Sequence, residues 1–267
     1  MIRCATLIII AINLFAASAY ATQPFELLLR LQNDSSAVLP SADVCGLLPV
    51  SLDGQLSEWR VSSSRPLTAS KSNYCLRYDE LGPYQTQQMA LQWLPVSPLP
   101  DEAWALTLPY DLDPAPSAQL LQLSESFKAY PQRQRIERIY AWMVSNIAFS
   151  GIRRKVEGAE HALRTGQGDC TEHMLLAGEL LERNGVTIRR VLGVALPKGQ
   201  HRISAAALHN WIEYRDNGRW FVFDSSKGLL GLPEAESYIA LLFYQSSQQL
   251  TREPFTTNLP QLKLFLQ

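Results

Sequence analysis

The chain is short of most features that would mark a function at sight. Its 267 residues hold four histidines and four cysteines, with no paired Cys/His motifs of the kind that enclose structural zinc. Neither sign of charge prevails. Against 25 Asp and Glu stand 24 Lys and Arg, with no basic stripe, which argues against a nucleic-acid partner. No internal repeat and no low-complexity tract appears, so solenoid and linker-type architectures drop out. Past residue 21 there is no apolar run near the roughly 20 residues that a membrane-spanning helix needs.

What the chain does have is apolar substance. Hydrophobic residues make up 46%, enough for a sizeable core in one large domain or two small ones, and too much for a disordered chain. Residues 1–21 read as a signal peptide. Arg3 gives a positive start, an apolar run from Ala5 to Ala17 is broken only by Asn13, and Ala19-Tyr20-Ala21 fits the small-x-small cleavage rule. The alternative is an uncleaved anchor, against which the shortness of the run counts. The implied compartment is periplasmic or extracellular. Losing Arg3 with the leader changes the net charge from −1 to −2.

Three cysteines remain after the leader. Cys45 and Cys75 lie in one N-terminal region and form the natural disulfide in an oxidising compartment; closing this 30-residue loop stabilises by about 3–4 kcal/mol in the chain-entropy model. Cys170 is left over, and a lone thiol in an exported protein calls for a reason: a nucleophile, or an intermolecular disulfide.

Along the chain, residues 22–100 read as a mostly β N-terminal domain, with short runs at Phe25–Leu31, Leu47–Leu52, Trp59–Val61, Tyr74–Tyr78 and Gln87–Leu94. Trp59, Trp93 and Trp104 read as core fillers. Residues 101–116 form a connecting segment rich in Pro, Asp and Ala. Helical spacing follows over Ser117–Lys128 and Gln132–Asn146, the second burying Ile136, Ile139, Tyr140, Met143 and Ile147. Glu160–Thr165 is a short helix. Residues 117–245 make up the second domain, and the tail 246–267 packs back onto the body.

The most informative stretch is Gly166-Gln167-Gly168-Asp169-Cys170-Thr171-Glu172-His173. Asp169 suits an N-cap, and Glu172, three residues on, completes a capping box. Cys170 then opens a helix that an apolar run continues and Asn184-Gly185 ends. A thiol there faces unsatisfied backbone N–H groups and the positive end of the helix dipole, which favour a thiolate and could hold an oxyanion. The plainer alternative is a buried cysteine that happens to start a helix.

Downstream, Ala207–Tyr214 and Arg219–Asp224 flank Asn217-Gly218, the strongest short-range hairpin signal. A two-residue turn pairs Asp216 with Arg219 and carries His209 opposite Ser226, with Asp224 diagonal to it. A four-residue loop puts His209 directly opposite Asp224. Either register sets imidazole and carboxylate on one face, whereas a three-residue loop without a bulge parts them. A cysteine nucleophile works best with an imidazole whose other nitrogen a carboxylate holds. Each residue alone has an ordinary structural reading. Cys170, His209 and Asp224 together point to acyl-transfer chemistry.

At this point the sequence resembles the transglutaminase-like superfamily. The resemblance is carried by Leu163 to Glu172, by Leu180 to Val191, by His209-Asn210-Trp211-Ile212-Glu213 and by Gly218-Arg219-Trp220-Phe221-Val222-Phe223-Asp224, four blocks in family order over about residues 115–245. The resemblance implies a papain-like α+β core, with a thiol-bearing helix packed on an antiparallel sheet that carries His and Asp. It implies Cys170 as nucleophile, His209 as general base and acid, and Asp224 as orienting carboxylate. The Cys170 N–H would hold the oxyanion, with Gln167 as a candidate second donor. It implies no cofactor and a peptide or protein substrate.

Two other readings stand beside this one. A catalytically silent protein could use the same fold as a binding module. A zinc site could draw on Cys170 and His173 with His161 or His201, but that spacing on a single helical turn is weak. The expectation is therefore no metal.

Overall fold

The structure is a computed structural model that describes residues 24–51, 56–69, 73–99, 110, 115–153, 155–251 and 253–267. The leader expected over residues 1–21, Trp104 and most of the segment 101–116 lie outside the described residues, as does the side chain of Trp59.

Four helices precede and carry the site. Helix α1 spans Ala118–Phe127 and begins at Ser117, whose Oγ accepts the Leu120 N–H at 3.1 Å. Helix α2, Gln132–Asn146, follows Pro131 and buries Ile136, Ile139 and Met143 at the predicted spacing. Helix α3 is Ala159–Thr165, closed by Gly166 at φ 67°. Helix α4 is Cys170–Arg183, buried without interruption from Glu172 to Leu181. Gly185, at φ 73°, turns the chain out of α4, a backbone conformation that favours glycine.

Helix α4 lies across a six-stranded sheet in the order Leu229–Gly231, Arg219–Asp224, Leu208–Asp216, Ile188–Pro197, Glu236–Tyr244, Val50–Ser51. Every pairing in it is antiparallel. Leu176, Leu180 and Leu181 of α4 share one core with Ile188, Ile212 and Phe223 of the sheet and with Ile139 and Met143 of α2. The hairpin takes the two-residue register, with Asp216 opposite Arg219 and Ile212 opposite Phe223. Asn217 at φ 48° and Gly218 at φ 80° both adopt the left-handed region, as a type I′ turn requires.

The N-terminal region is mostly β. Phe25–Asn33 lies beside Thr86–Leu99, which in turn pairs with Leu56–Ser62. A second sheet runs Phe255–Thr257, Asp43–Leu47, Asn73–Arg77, Leu67–Ala69. Within it Cys45 and Cys75 are directly opposed and joined by a disulfide. Trp93 is fully buried and donates Nε1–H to the Tyr74 hydroxyl at 3.4 Å.

Three pairings bring distant segments to this region. Leu262–Leu266 pairs antiparallel with Phe25–Asn33, Phe255–Thr257 pairs with Asp43–Leu47, and Arg202–Ile203 runs parallel to Glu26–Leu27. The core here runs from Leu27, Leu29 and Leu76 into Val194, Leu196, Ile239 and Leu241 of the six-stranded sheet. Among the described residues no helix is long and apolar enough to cross a membrane.

Candidate active site

Asp169 is the N-cap of α4. Its Oδ1 accepts the Thr171 N–H at 2.7 Å, and Glu172 Oε2 accepts the Asp169 N–H at 3.2 Å, completing the capping box. Both carboxylates also hold the loop before α3. Asp169 Oδ2 accepts the Arg153 N–H at 2.9 Å, and Glu172 Oε1 accepts the N–H groups of Glu157 at 2.8 Å and Gly158 at 3.3 Å. Burial alone would raise the Asp169 pKa, but hydrogen bonds from Arg153, Glu172 and Thr171 bring it below the usual carboxylate value. Burial, reinforced by Asp169, raises that of Glu172. Gly168 must be glycine for contact reasons: a Cβ there would lie 2.5 Å from the Glu172 Cβ. This packing fixes where the helix starts, and so where Cys170 stands.

Cys170 is the free cysteine among the described residues and is 9% exposed. His209, 8% exposed, projects from the strand Leu208–Asp216, and its Nε2 meets Asp224 Oδ2 at 2.6 Å. That contact leaves Nδ1 as the ring nitrogen open to Cys170. Burial works against the imidazolium, but hydrogen bonding to Asp224 and to Cys170 outweighs it and lifts the His209 pKa to about 9.

Asp224 is saturated with donors. Besides His209, its Oδ2 accepts the Tyr238 hydroxyl at 2.9 Å, and its Oδ1 accepts Ser226 N–H at 3.1 Å, Ser226 Oγ–H at 2.7 Å and Lys227 N–H at 3.1 Å. Burial would raise its pKa, but these donors, His209 foremost, hold it below the ordinary value. The carboxylate therefore remains charged while buried. Trp211 stacks 6.3 Å from the His209 ring and meets Tyr238 edge-on at 5.1 Å, walling one side of the pair.

Gln167 lies three residues before Cys170. It is exposed on the two-residue strand Gln167–Gly168, which runs parallel to Ala148–Phe149, and its N–H donates to Thr165 Oγ1 at 3.3 Å. The residues weighed for zinc are dispersed. His173 Nδ1 meets Ser225 Oγ at 2.8 Å, His201 packs against the Phe25 ring at 5.4 Å, and the His161 carbonyl accepts the Thr165 hydroxyl at 2.8 Å. Among the described residues no group of three or more His, Cys, Asp or Glu side chains is arranged to hold a metal ion.

Sequence reasoning missed Tyr238, the second donor to Asp224 Oδ2, because it left the whole strand Glu236–Tyr244 unread. The signal was present as Tyr238-Ile239-Ala240-Leu241-Leu242-Phe243-Tyr244, an aromatic and aliphatic run of strand length. It also missed Asn210 and Thr171, which bond each other at 2.9 Å one residue beyond His209 and Cys170. Nothing in a single sequence pairs such side chains across 39 positions.

A buried imidazole–carboxylate pair on an antiparallel sheet, faced by a cysteine on the first turn of a capped helix, defines the papain-like class of α+β cores. Residues 122–225 match the family model described as the transglutaminase-like superfamily, so the chain carries a transglutaminase-like core in that segment. A cysteine protease candidate from Cytophaga hutchinsonii is similar in fold over 92% of this chain and 90% of its own, with a TM-score of 0.52 at 12% identity. The periplasmic domain of TgpA from Pseudomonas aeruginosa aligns over 76% of this chain and 88% of its own, with a TM-score of 0.39 at 13% identity. LapG from Legionella pneumophila aligns over 49% and 80%, with a TM-score of 0.38 at 14% identity. No curated protein matches the chain.

Proposed function

We propose that the protein is an exported cysteine-dependent acyl-transfer enzyme that attacks amides in peptides or proteins, with Cys170 as nucleophile, His209 as base and acid, and Asp224 as the carboxylate that orients the imidazole. The observation that carries this reading is the 2.6 Å bond from His209 Nε2 to Asp224, which leaves the other ring nitrogen to Cys170. With its pKa lifted to about 9, His209 is an imidazolium at neutral pH, the partner that a thiolate needs. The leader-like residues 1–21 and the Cys45–Cys75 disulfide support a periplasmic or secreted setting.

The chemistry follows from these positions. The Cys170 sulfur adds to the amide carbonyl carbon, and the oxygen takes the negative charge, held by the Cys170 N–H at the helix start, with Gln167 as a candidate second donor. The tetrahedral intermediate collapses by breaking the C–N bond. His209 gives its proton to the departing amine, and a thioester remains on Cys170. A water molecule, or an amine in the transglutaminase variant, then adds to the thioester while His209 takes its proton, and the C–S bond breaks to restore the thiolate. Water is the default acceptor, which favours peptidase or amidase activity.

The test is intact-mass spectrometry after incubation with a mixed library of amides and amines. The reading expects acyl adducts on residue 170 that vanish in Cys170→Ala and in His209→Ala. An unlabelled wild-type protein that remains folded would instead make it a binding module on a silent core.

A further inference from the structure

The ladder between the two strands that carry His209 and Asp224 stops short of both residues. The last pair between the strands Leu208–Asp216 and Arg219–Asp224 is Ile212 with Phe223, so His209 and Asp224 lie past the end of their shared hydrogen-bonded register. Helix α4 cannot share a ladder with either strand. His209 is paired with Gly193 and Asp224 with Leu229 on their outer flanks, but no main-chain pairing joins the three reacting groups to one another.

Side chains one or a few residues along fill this gap. Thr171 follows Cys170 and Asn210 follows His209; Asn210 Nδ2 donates to Thr171 Oγ1 at 2.9 Å. The Asn210 Oδ1 in turn accepts the Tyr244 hydroxyl at 3.2 Å, which ties it to the strand Glu236–Tyr244, two places along the sheet. Ser225 follows Asp224, and its Oγ meets Nδ1 of His173, one turn into α4, at 2.8 Å. With the His209–Asp224 bond these contacts close a triangle: helix to one strand, helix to the other, strand to strand. His173 and Ser225 are buried, and burial lowers the His173 pKa, so this link adds no charge beside the imidazolium.

We infer that Thr171, Asn210, His173 and Ser225 are positioning residues, two side-chain brackets that set the Cys170 thiol against His209 while touching neither substrate nor reacting atoms. The inference rests on the function proposed above for Cys170 and His209. Hydrogen bonds suit this work because a buried one fixes both distance and direction, and an ångström of drift at a reacting pair lowers rates steeply.

The test uses Thr171→Val, which keeps the shape and removes the hydroxyl, and Thr171→Ser, which keeps the hydroxyl. Alkylation of Cys170 by iodoacetamide is followed by mass spectrometry from pH 4 to pH 10, alongside His209→Ala and the melting temperature of each variant. The expected result is a wild-type limb of thiolate reactivity at low pH that depends on His209. Thr171→Val should lose it about tenfold at pH 6, and Thr171→Ser should restore it. A Thr171→Val protein that melts lower but keeps the wild-type pH profile overturns the inference alone, since it makes the bracket merely structural. A wild-type profile that His209→Ala does not change overturns the proposed function and takes the inference with it. If Thr171→Val does not fold, Ser225→Ala against Ser225→Thr puts the same question to the other bracket.

Discussion

Replacing Asp224 by Asn leaves the shape of the pocket and removes the charge that holds His209 protonated. A rise in the His209 pKa from 6.5 to about 9 is worth about 3 kcal/mol at 1.36 kcal/mol per unit. Because the folded protein binds this proton more tightly than the unfolded chain, the contribution is fully present below pH 6.5 and is lost as the pH rises through about 9. Asp224 reports the same contact from the acid side: its lowered pKa contributes above the ordinary value of 3.8 and is lost as the pH falls through the folded one. The two are one interaction and are not added together. Asp224 leads the two partners that raise this pKa against burial, with Cys170 second, so Asp224→Asn should be less stable than wild type at pH 6 by an amount on the order of this net 3 kcal/mol, beyond any loss from misplacing the donors around Oδ1, and that gap should narrow towards pH 10. Urea unfolding at a series of pH values measures it. Cys170 alkylation at pH 6 should fall on the order of a hundredfold in the same variant, since the imidazolium partner is gone. A stability gap that stays constant from pH 6 to pH 10 would refute the reasoning, because it would mean that Asp224 does not control the protonation of His209.

The remaining predictions concern packing. Gly193→Ala sets a Cβ 2.2 Å from the Ile239 carbonyl and 2.3 Å from the Trp211 ring; because the first is backbone, the six-stranded sheet must shift, and little soluble protein should be recovered on expression. Gly178→Ala meets the Arg190 guanidinium at 2.4 Å and must push it off Glu182, now bonded at 2.9 Å; a loss of about 1–3 kcal/mol should appear in thermal unfolding without a change in the Cys170 pH profile. Cys45→Ala with Cys75→Ala opens a link between residues 30 apart and should lower stability by about 3–4 kcal/mol, read as a drop in the urea midpoint.

What the sequence disclosed was local. Both ends of α4 were readable because Asp169 and Glu172 form the capping box and Gly185 takes the left-handed turn that ends the helix. The hairpin was readable because Asn217 and Gly218 tolerate positive φ; two- and four-residue loops both put His209 and Asp224 on one face, and the structure takes the two-residue turn. The four blocks of family resemblance extended that reading from geometry to fold. What stayed hidden was pairing across long stretches of chain. Residues 198–204 carry no strand signal in the sequence, being mostly polar, yet Arg202–Ile203 forms a strand alongside Glu26–Leu27. The unread strand Glu236–Tyr244 lies second from one edge of the six-stranded sheet, between Ile188–Pro197 and Val50–Ser51, and brings Tyr238 to Asp224. Arg189 and Glu213 form a buried ion pair, with the Arg189 guanidinium over the rings of Trp220 and Phe243, which no spacing rule anticipates. In each case the decisive contact is between strands of one sheet that are not consecutive in the chain, and period-two patterning gives a strand's face without naming its neighbour.

The strand Phe25–Asn33 has Thr86–Leu99 along one flank and Leu262–Leu266 along part of the other, with the N–H of Gln267 donating to the Leu28 carbonyl at 2.9 Å. Its second neighbour is thus made more than two hundred positions after it. A chain delivered in order, from a ribosome or through a translocation pore, must carry the Leu29–Asn33 part of that edge bare until Leu262–Leu266 arrives, while Arg202–Ile203 covers Glu26–Leu27 sooner. This edge of the N-terminal sheet therefore closes late, and until then depends on whatever shields an open β edge from its neighbours.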